Sequence, residues 1–356
     1  MIYLTIFNGL LLMRATMRAA LRRRAEIYWP LLIGLFLFSA FRFEVGCDWS
    51  GYLNQYSVQL GSNLQDALDR SDPLWWALIE LQQLLGLPYP WMNVLSSAIF
   101  FYGAHAFARR QPDPVAFLIL IFPFLIINIP MSGIRQGAAI GLMFLAFSAF
   151  LDRSLWRFVV WTLGASAFHA SAAVFLLLSP FVWGNYSRER LLIGAILAVP
   201  GAWLLFGTDD AAIAATRYID SGVDAAGAAF RGAAITLAGL FFLLFLRRLW
   251  LRSFPKDYKL AQIGALIMLM IVFLVPISTV IADRLGYYLI PIQAMIFARI
   301  PFLPIQHDRA VYIAAPYVGL FALFAVWTQT SRLFELCYLP YQSWLFGFPE
   351  VVRWSF

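Results

Sequence analysis

Three charged side chains, Arg42, Glu44 and Asp48, fall within seven residues of each other directly after an uncharged apolar run at 27–41. A carboxylate can accept a proton from a reacting hydroxyl, and a guanidinium can bind two phosphate oxygens at once. Charge held beside hydrocarbon costs free energy, so a cluster at the end of an apolar run is a candidate functional site. The alternative interpretation is an ordinary polar loop where the chain leaves a membrane.

The composition of the chain excludes a soluble globular protein. Of its 356 residues, 62% are hydrophobic and only 13% are charged, which is more apolar surface than a soluble core can bury. The sequence therefore predicts an all-α polytopic membrane protein. The excess of 26 basic over 19 acidic residues fits the preference of cytoplasmic loops for Lys and Arg, and we expect no nucleic-acid partner.

Apolar runs bounded by charge or by Pro and Gly predict about 12 transmembrane helices in a single integral membrane domain, 1–356. The first run lacks a preceding basic region, so we interpret it as a retained span rather than a cleavable signal. An Ala- and Asp-rich loop is predicted at 208–231 on the outer side. The candidate spans are 1–13, 27–41, 90–108, 114–129, 137–151, 155–167, 170–183, 191–207, 232–250, 260–281, 286–299 and 310–329.

Two segments decide the membrane topology, that is, which loops lie inside and which lie outside. Residues 73–86 are interpreted as an interfacial helix and residues 155–183 as a hairpin, which places most Lys and Arg inside and both termini outside. Each arm of the hairpin has about 13 residues and rises about 20 Å, less than the roughly 30 Å hydrocarbon core. Backbone that turns at this depth requires protein or a watery cavity around it, so we predict an outward-facing cavity at His169.

Polar residues from four further places are predicted to reach the same level as His169. They follow the second, fourth, tenth and last candidate spans. These residues are Arg42, Glu44, Asp48, Asn128, Arg135, Gln136, Asp283, Arg284, Tyr338 and Tyr341.

Five sequence motifs occur in order across almost the whole chain. They are R-x-E-x-G-C-D-W-x-x-Y at 42–52, S-G-I-R-Q-G-A-A at 132–139, F-H-A-S at 168–171, A-D-R-L-G-Y-Y at 282–288 and Y-L-P-Y at 338–341. Each motif is weak alone, but the ordered set resembles the EpsG family of Wzy-type exopolysaccharide and O-antigen polymerases. The loop at 208–231 matches no motif of that family and is a candidate determinant of substrate preference.

The resemblance implies a membrane glycosyltransferase in the bacterial inner membrane, with its active site and the 208–231 loop facing the periplasm. Such an enzyme moves a growing glycan from undecaprenyl diphosphate onto a new lipid-linked repeat unit. The resemblance also implies contact with membrane lipid, and a chain-length regulator is a further candidate partner.

The chemistry of that reaction suits the residue types of the cluster. Cleavage of a sugar–diphosphate bond releases a highly charged leaving group, which fixed cations stabilise. We predict that three arginines bind the diphosphate, and that a glutamine and three tyrosines also contact the substrate. These residues are Arg42, Arg135, Arg284, Gln136, Tyr52, Tyr288 and Tyr341.

The acceptor hydroxyl needs a base, for which the sequence offers three candidates. Asp48 is the first choice. We expect partial desolvation to raise the pKa of its carboxylate and a nearby Arg to keep it ionised. His169 is the second, with an ordinary pKa that allows proton transfer at neutral pH, and Glu44 is the third. The three His residues are scattered and the cluster has no D-x-D pair, so we expect neither a metal site nor a cofactor.

Simpler interpretations of the same residues remain open. Arg135 with Gln136 can cap a helix that starts at 137, Asp283 with Arg284 can form a local ion pair, and His169 can be a packing residue. The tyrosines at 338 and 341 fit an interfacial aromatic belt.

Two other functional classes also remain open. A lipid-linked oligosaccharide transporter or flippase would gather Arg around an anionic head group, and a membrane acyltransferase could use His169 as its base. A disulfide between Cys47 and Cys337 is conceivable, but we expect two small buried thiols.

Overall fold

The computed structural model describes residues 2–22, 24–61, 64–183 and 227–349 and a few positions between 188 and 196. The regular elements in these ranges are helices. Before residue 184 they are α1 (Ile2–Thr16), α2 (Ala19–Arg22), α3 (Ala25–Ala40), α4 (Trp49–Gln59), α5 (Leu64–Leu68), α6 (Pro73–Leu84), α7 (Trp91–Ala108), α8 (Pro114–Ile121) with a π-helical turn (Phe122–Ile126), α9 (Ile134–Leu151), α10 (Leu155–Phe168) and a 3-10 helix (Ala170–Phe181).

After residue 226 the helices continue to Tyr338. They are α11 (Ala228–Phe241) with a π-helical turn (Phe242–Leu246), α12 (Arg247–Ser253), α13 (Tyr258–Leu274), α14 (Thr279–Arg299) with a 3-10 turn (Ile300–Phe302), α15 (Arg309–Thr330) and α16 (Arg332–Tyr338).

Among the described residues, four stretches are long and apolar enough to cross a membrane, which agrees with a polytopic membrane protein. They are Ile134–Leu151, Ala228–Ser253, Thr279–Phe302 and Arg309–Thr330. Six shorter apolar helices accompany them, at Ile2–Thr16, Ala25–Ala40, Pro114–Ile126, Leu155–Phe168, Ala170–Phe181 and Tyr258–Leu274. The total of about 12 spans stays a prediction, and the candidate span at 191–207 lies almost entirely outside the described residues.

The segment 155–183 forms the predicted hairpin. At its turn, His169 has an extended backbone conformation, with φ −156° and ψ 112°, between α10 and the 3-10 helix. The indole nitrogen of Trp183 donates a hydrogen bond to the backbone oxygen of Arg153, so the end of the second arm returns to the start of the first.

The segment 73–86, predicted to be interfacial, begins with helix α6, which packs against α4 and α10. Trp75 and Ile79 on this helix are fully buried. The indole nitrogen of Trp75 donates a hydrogen bond to Oε1 of Gln55 at 2.8 Å. These contacts fix the start of α6 beside the hairpin turn.

Three predicted boundaries are wrong, and each moves a polar residue from a loop onto a helix. The span predicted at 260–281 ends at Leu274, earlier than expected, because Pro276 cannot donate a backbone hydrogen bond. The side chain of Ser278 then accepts a bond from the Ile281 amide and caps α14. Asp283 and Arg284 consequently lie in the second turn of α14.

The other two boundaries concern α9 and α11. Helix α9 begins at Ile134 rather than at 137, so Arg135 and Gln136 lie in its first turn. Helix α11 begins at Ala228, so Arg231, the last residue of the predicted 208–231 loop, is helical. The rest of that loop lies largely outside the described residues.

The core of the bundle is formed by α9 and α14. Helix α9 packs closely on α7. The two backbones approach so closely at Gly103 of α7 and Gly141 of α9 that a Cβ atom added to Gly103 would overlap the carbonyl oxygen of Gly141. Helix α14 packs against α8, α11 and α13, and 83% of its apolar window is buried inside the protein. The polar residues at its start are therefore held by a rigid element.

Candidate active site

The loop that follows α3 is fixed to the C-terminal end of the described chain. The Phe43 amide donates to the backbone oxygen of Gln342 at 2.9 Å, and the Gly46 amide donates to that of Cys337 at 2.7 Å. Cys47 and Cys337 form a disulfide. The expectation of two small buried thiols is therefore wrong, and the first and last motifs are linked covalently.

Gly46 brings the same loop against the second motif. Its φ of 107° lies in the left-handed region, and an added Cβ atom would overlap the carbonyl oxygen of Met131. Only glycine combines this backbone conformation with such a close approach. The approach places Asp48 beside Ser132, whose hydroxyl donates to Asp48 Oδ2 at 3.1 Å.

Arg42 holds the loop together and does not line the polar cavity described below. Its guanidinium donates to the backbone oxygen of Val45 at 2.9 Å, to that of Ser39 at 3.0 Å and to Oδ1 of Asn93 at 2.7 Å. Burial lowers the pKa of Arg42 to about 10, which leaves it charged at neutral pH. With each guanidinium nitrogen bonded to protein, the geometry gives no support to its predicted contact with diphosphate.

Glu44 and Tyr341 also lie apart from the cavity described below. Glu44 is 3% exposed and has a positive φ of 50°. The Tyr341 hydroxyl donates to the backbone oxygen of Phe38 at 2.8 Å, and the two rings stack with centroids 4.6 Å apart. Both residues pack the loop region.

A polar cavity of about 490 Å³ opens where the motifs meet. Residues of all five motifs line it, together with residues of α4, α11, α15 and α16. The polar and aromatic side chains in the lining are Asp48, Tyr52, Gln55, Asn128, Ser132, Arg135, Gln136, His169, Arg231, Asp283, Arg284, Tyr287, Trp327, Ser331 and Tyr338. The structure thus brings together most of the residues singled out from the sequence, while Tyr288 lies just behind the wall.

Asp48 is exposed and lines this cavity. It precedes α4 without a side-chain capping bond. The carboxylate is therefore accessible to a ligand, and Tyr52, one turn further along α4, lies beside it in the lining. Burial and the Asp48 charge raise the pKa of Tyr52 to about 12, so this phenol remains a hydrogen-bond donor.

Arg135 forms an ion pair with a residue that the sequence analysis missed. Its Nη1 lies 2.8 Å from Oδ2 of Asp72, and Oδ1 of Asp72 accepts a bond from the Ala170 amide at 2.8 Å. The Nε atom of Arg135 is buried and makes no hydrogen bond within the described residues. Asp72 precedes Pro73 and fits the signal of a helix cap, but it forms no capping bond and positions Arg135 instead.

His169 is held at the cavity wall by a chain of hydrogen bonds. Its Nδ1 lies 2.7 Å from Oγ of Ser171, which donates to the Tyr288 hydroxyl at 3.3 Å. In this arrangement the Ser171 oxygen accepts from Nδ1, which leaves the lone pair on Nε2. Burial, with Arg135 and Arg284 nearby, lowers the pKa of His169 well below its ordinary value, so the imidazole is neutral and weakly basic.

Arg284 and Gln136 are positioned together across two helices. The side-chain amide of Gln136 on α9 donates to the backbone oxygen of Arg284 on α14 at 2.7 Å. Both side chains line the cavity. This bond fixes the start of α14 relative to α9, where Arg284 and Arg135 line the same cavity.

Asp283 forms its ion pair with Arg231 of α11. Two bonds, of 2.7 and 2.8 Å, join the guanidinium to both carboxylate oxygens, and the two side chains are 11% and 12% exposed. Arg231 has no predicted role in the sequence, because its partner lies 52 positions away on another helix.

The charges of the lining favour an anionic ligand. Three arginines and two aspartates line the cavity, which gives a net charge of +1 with His169 neutral. Guanidinium groups provide fixed positive charge for phosphate oxygens, and one exposed carboxylate faces the same volume. Among the described residues, no group of three or more His, Cys, Asp or Glu has the arrangement of a metal site.

Comparison with known proteins identifies the family. A model of the EpsG family matches residues 27–343, which covers most of the chain and all five motifs. Neither the curated proteins nor the solved structures contain a significant match. On the strength of the family match, this multi-pass membrane protein belongs to the EpsG family, a family of Wzy-like polymerases.

Proposed function

We propose that the chain is a polysaccharide polymerase that transfers a growing glycan from undecaprenyl diphosphate to a lipid-linked repeat unit. The observation that carries this proposal is the polar cavity, where Arg135 and Arg284 face an exposed carboxylate, Asp48. Family membership supports a polymerase, and the cavity supplies the residue types that the reaction needs.

In the proposed step, the acceptor hydroxyl oxygen attacks the anomeric carbon of the donor glycan. The bond between that carbon and the diphosphate oxygen breaks, and the electron pair leaves with the diphosphate. Arg135 and Arg284 stabilise the developing charge. The position of Arg135 supports this role, because it lines the cavity and its side chain is 24% exposed, so it is accessible to a ligand.

Asp48 is the preferred acceptor for the hydroxyl proton. It is exposed to the cavity and accepts a bond from Ser132. The depressed pKa of His169 makes its imidazole a weaker base, so we assign it a hydrogen bond to the substrate instead. Glu44 is the least supported candidate, because it is absent from the cavity lining.

The disulfide supports an active site on the periplasmic side of the bacterial inner membrane. Cys47 and Cys337 join two segments of the cavity wall. Disulfides persist in oxidising compartments such as the periplasm and are rare in the cytosol. The cavity next to this bond is therefore assigned to the outer face.

Single substitutions in purified, reconstituted protein test the proposal. We expect Asp48→Asn and Arg284→Gln each to lower the rate of polymer formation about 100-fold or more, because each removes a transition-state contact. Arg157→Gln is the control, since that side chain is 61% exposed and lies outside the cavity. Normal polymerisation by both site variants would reject the assignment.

The assay also separates the competing functions. Elongation of a lipid-linked repeat unit without an acyl donor supports a polymerase over an acyltransferase, and growth of the glycan distinguishes it from a flippase. We expect the rate to be unchanged by EDTA, because arginine supplies the positive charge in this mechanism. Loss of activity with EDTA that Mg²⁺ restores would contradict this part of the proposal.

A further inference from the structure

A second cavity, of about 560 Å³, adjoins the polar one and differs from it in chemistry. Helices α8, α11, α14 and α15 form its walls, and most of its lining is apolar. The two cavities share six lining residues, which are Arg231, Asp283, Tyr287, Trp327, Ser331 and Leu333. They therefore meet at the Arg231–Asp283 ion pair.

The second cavity is a groove that follows one face of α14. Asp283, Tyr287, Ile290, Ala294 and Phe297 line it at spacings of three and four residues, which is the repeat of a single helix face. At 1.5 Å per residue, this face extends about 21 Å, or about two thirds of a hydrocarbon core. A long apolar groove of this shape fits an extended chain better than a compact ligand.

The groove opens sideways along α15. Ala322 and Val326 line it and are also exposed, Val326 to 60%. Only 17% of the apolar window of α15 is buried inside the protein. In a membrane this side faces lipid, so a hydrocarbon chain reaches the groove without passing through water.

We propose that this groove binds the hydrocarbon tail of the carrier lipid whose diphosphate occupies the polar cavity. The inference rests on the proposed function and extends it by placing the tail. Continuity with the polar cavity favours this occupant over an unrelated lipid, because one molecule with an anionic head and a long tail fills both spaces. The mutually neutralised Arg231–Asp283 pair lies at the junction of head and tail.

Photoaffinity labelling of the purified protein tests this placement. The probe is undecaprenyl diphosphate with a diazirine on its terminal isoprene unit, and we expect it to label peptides that contain 290–297 or 320–327. Ala322→Trp would fill the groove from its open side and lower this labelling at least tenfold. Val318→Trp is the matched control, because Val318 lies on the same helix, is 62% exposed and does not line the groove.

Three results would overturn the inference. They are labelling confined to other helices, equal labelling of the two tryptophan variants, and loss of labelling on addition of excess phosphatidylglycerol, which would assign the groove to ordinary membrane lipid. Labelling requires no turnover, so a labelled groove in a protein that does not polymerise would reject the proposed function alone. Polymerisation without groove labelling would reject this inference alone.

A kinetic comparison provides an independent readout. We expect Ala322→Trp to raise the KM for a donor with the full-length tail at least fivefold while leaving the KM for a donor with a two-isoprene tail unchanged. An equal rise for both donors would contradict a tail site in this groove.

Discussion

Arg135 is held at the cavity wall by its ion pair with Asp72, and its side chain remains 24% exposed. The guanidinium can therefore still donate hydrogen bonds to a phosphate. Arg42 is the opposite case, because each of its guanidinium nitrogens already donates to protein. The environment thus separates two arginines that look equivalent in the sequence.

Asp72→Asn tests whether Asp72 positions Arg135. The amide keeps the volume of the carboxylate but loses its charge, so we expect polymer formation to fall about 10- to 100-fold. We also expect Arg135→Lys to lower polymer formation, because lysine cannot reproduce the planar guanidinium. Asp69→Asn is the control, since Asp69 is an exposed residue of the preceding helical region. Full activity of Asp72→Asn would show that the Asp72 carboxylate is not needed to position Arg135.

The pKa of His169 predicts a dependence of stability on pH. The folded-state pKa is well below the ordinary value, so between pH 6.5 and the folded pKa the unfolded chain binds more protons. Stability is therefore lost as the pH falls through this window, by about 1.4 kcal/mol per pH unit. We expect the Tm of His169→Gln to fall less between pH 7 and pH 5 than that of the unsubstituted protein. Parallel falls in Tm would contradict a buried neutral imidazole.

At the scale of elements, the loop at 41–48 is organised by contacts with two distant segments. Its backbone bonds to 337 and 342, and Gly46 touches Met131. The loop itself has no regular secondary structure beyond one bridge between Arg42 and Ser343. Its conformation, and the position of Asp48, therefore depend on how α3, α9 and α16 are packed.

Gly46→Ala tests this dependence. The added methyl group would overlap the Met131 carbonyl oxygen at a φ of 107°, so we expect a loss of about 2 kcal/mol or more and a large fall in activity. Gly34→Ala in α3 is the matched control, because nothing lies within 4 Å of its added Cβ atom. Alanine at that position should leave the Tm unchanged or slightly higher. Equal Tm values for the two variants would show that the approach of Gly46 to Met131 is not needed.

At the scale of the whole molecule, the disulfide closes the fold by joining residues that are 290 positions apart. It links the loop after α3 to the end of α16, and the polar cavity lies beside it. The apolar groove extends from the same cavity along α14. One end of the bundle thus carries the polar chemistry, and the groove extends from it between apolar helices.

We expect Cys47→Ser to lower the Tm by roughly 5 °C or more, because the crosslink limits the unfolded chain. Proteolysis between the two cysteines should yield fragments that migrate together without reductant and separate with it. The Cys337→Ser variant should separate under both conditions. Fragments of the unsubstituted protein that separate without reductant would contradict the disulfide.

The amino-acid sequence alone determined the class of the protein, the hairpin at 155–183 and the family, because hydrophobic content, loop charge and ordered motifs are local properties of the chain. It also identified Asp48, Arg135, Gln136, His169 and Arg284 as residues of interest. Only the tertiary structure decided which polar residues face one space. The Arg231–Asp283 and Arg135–Asp72 pairs, the burial of Arg42 and the Cys47–Cys337 disulfide each join residues that are distant in sequence or depend on surrounding packing. Helix packing sets these contacts, and residue spacing along one chain carries little information about it.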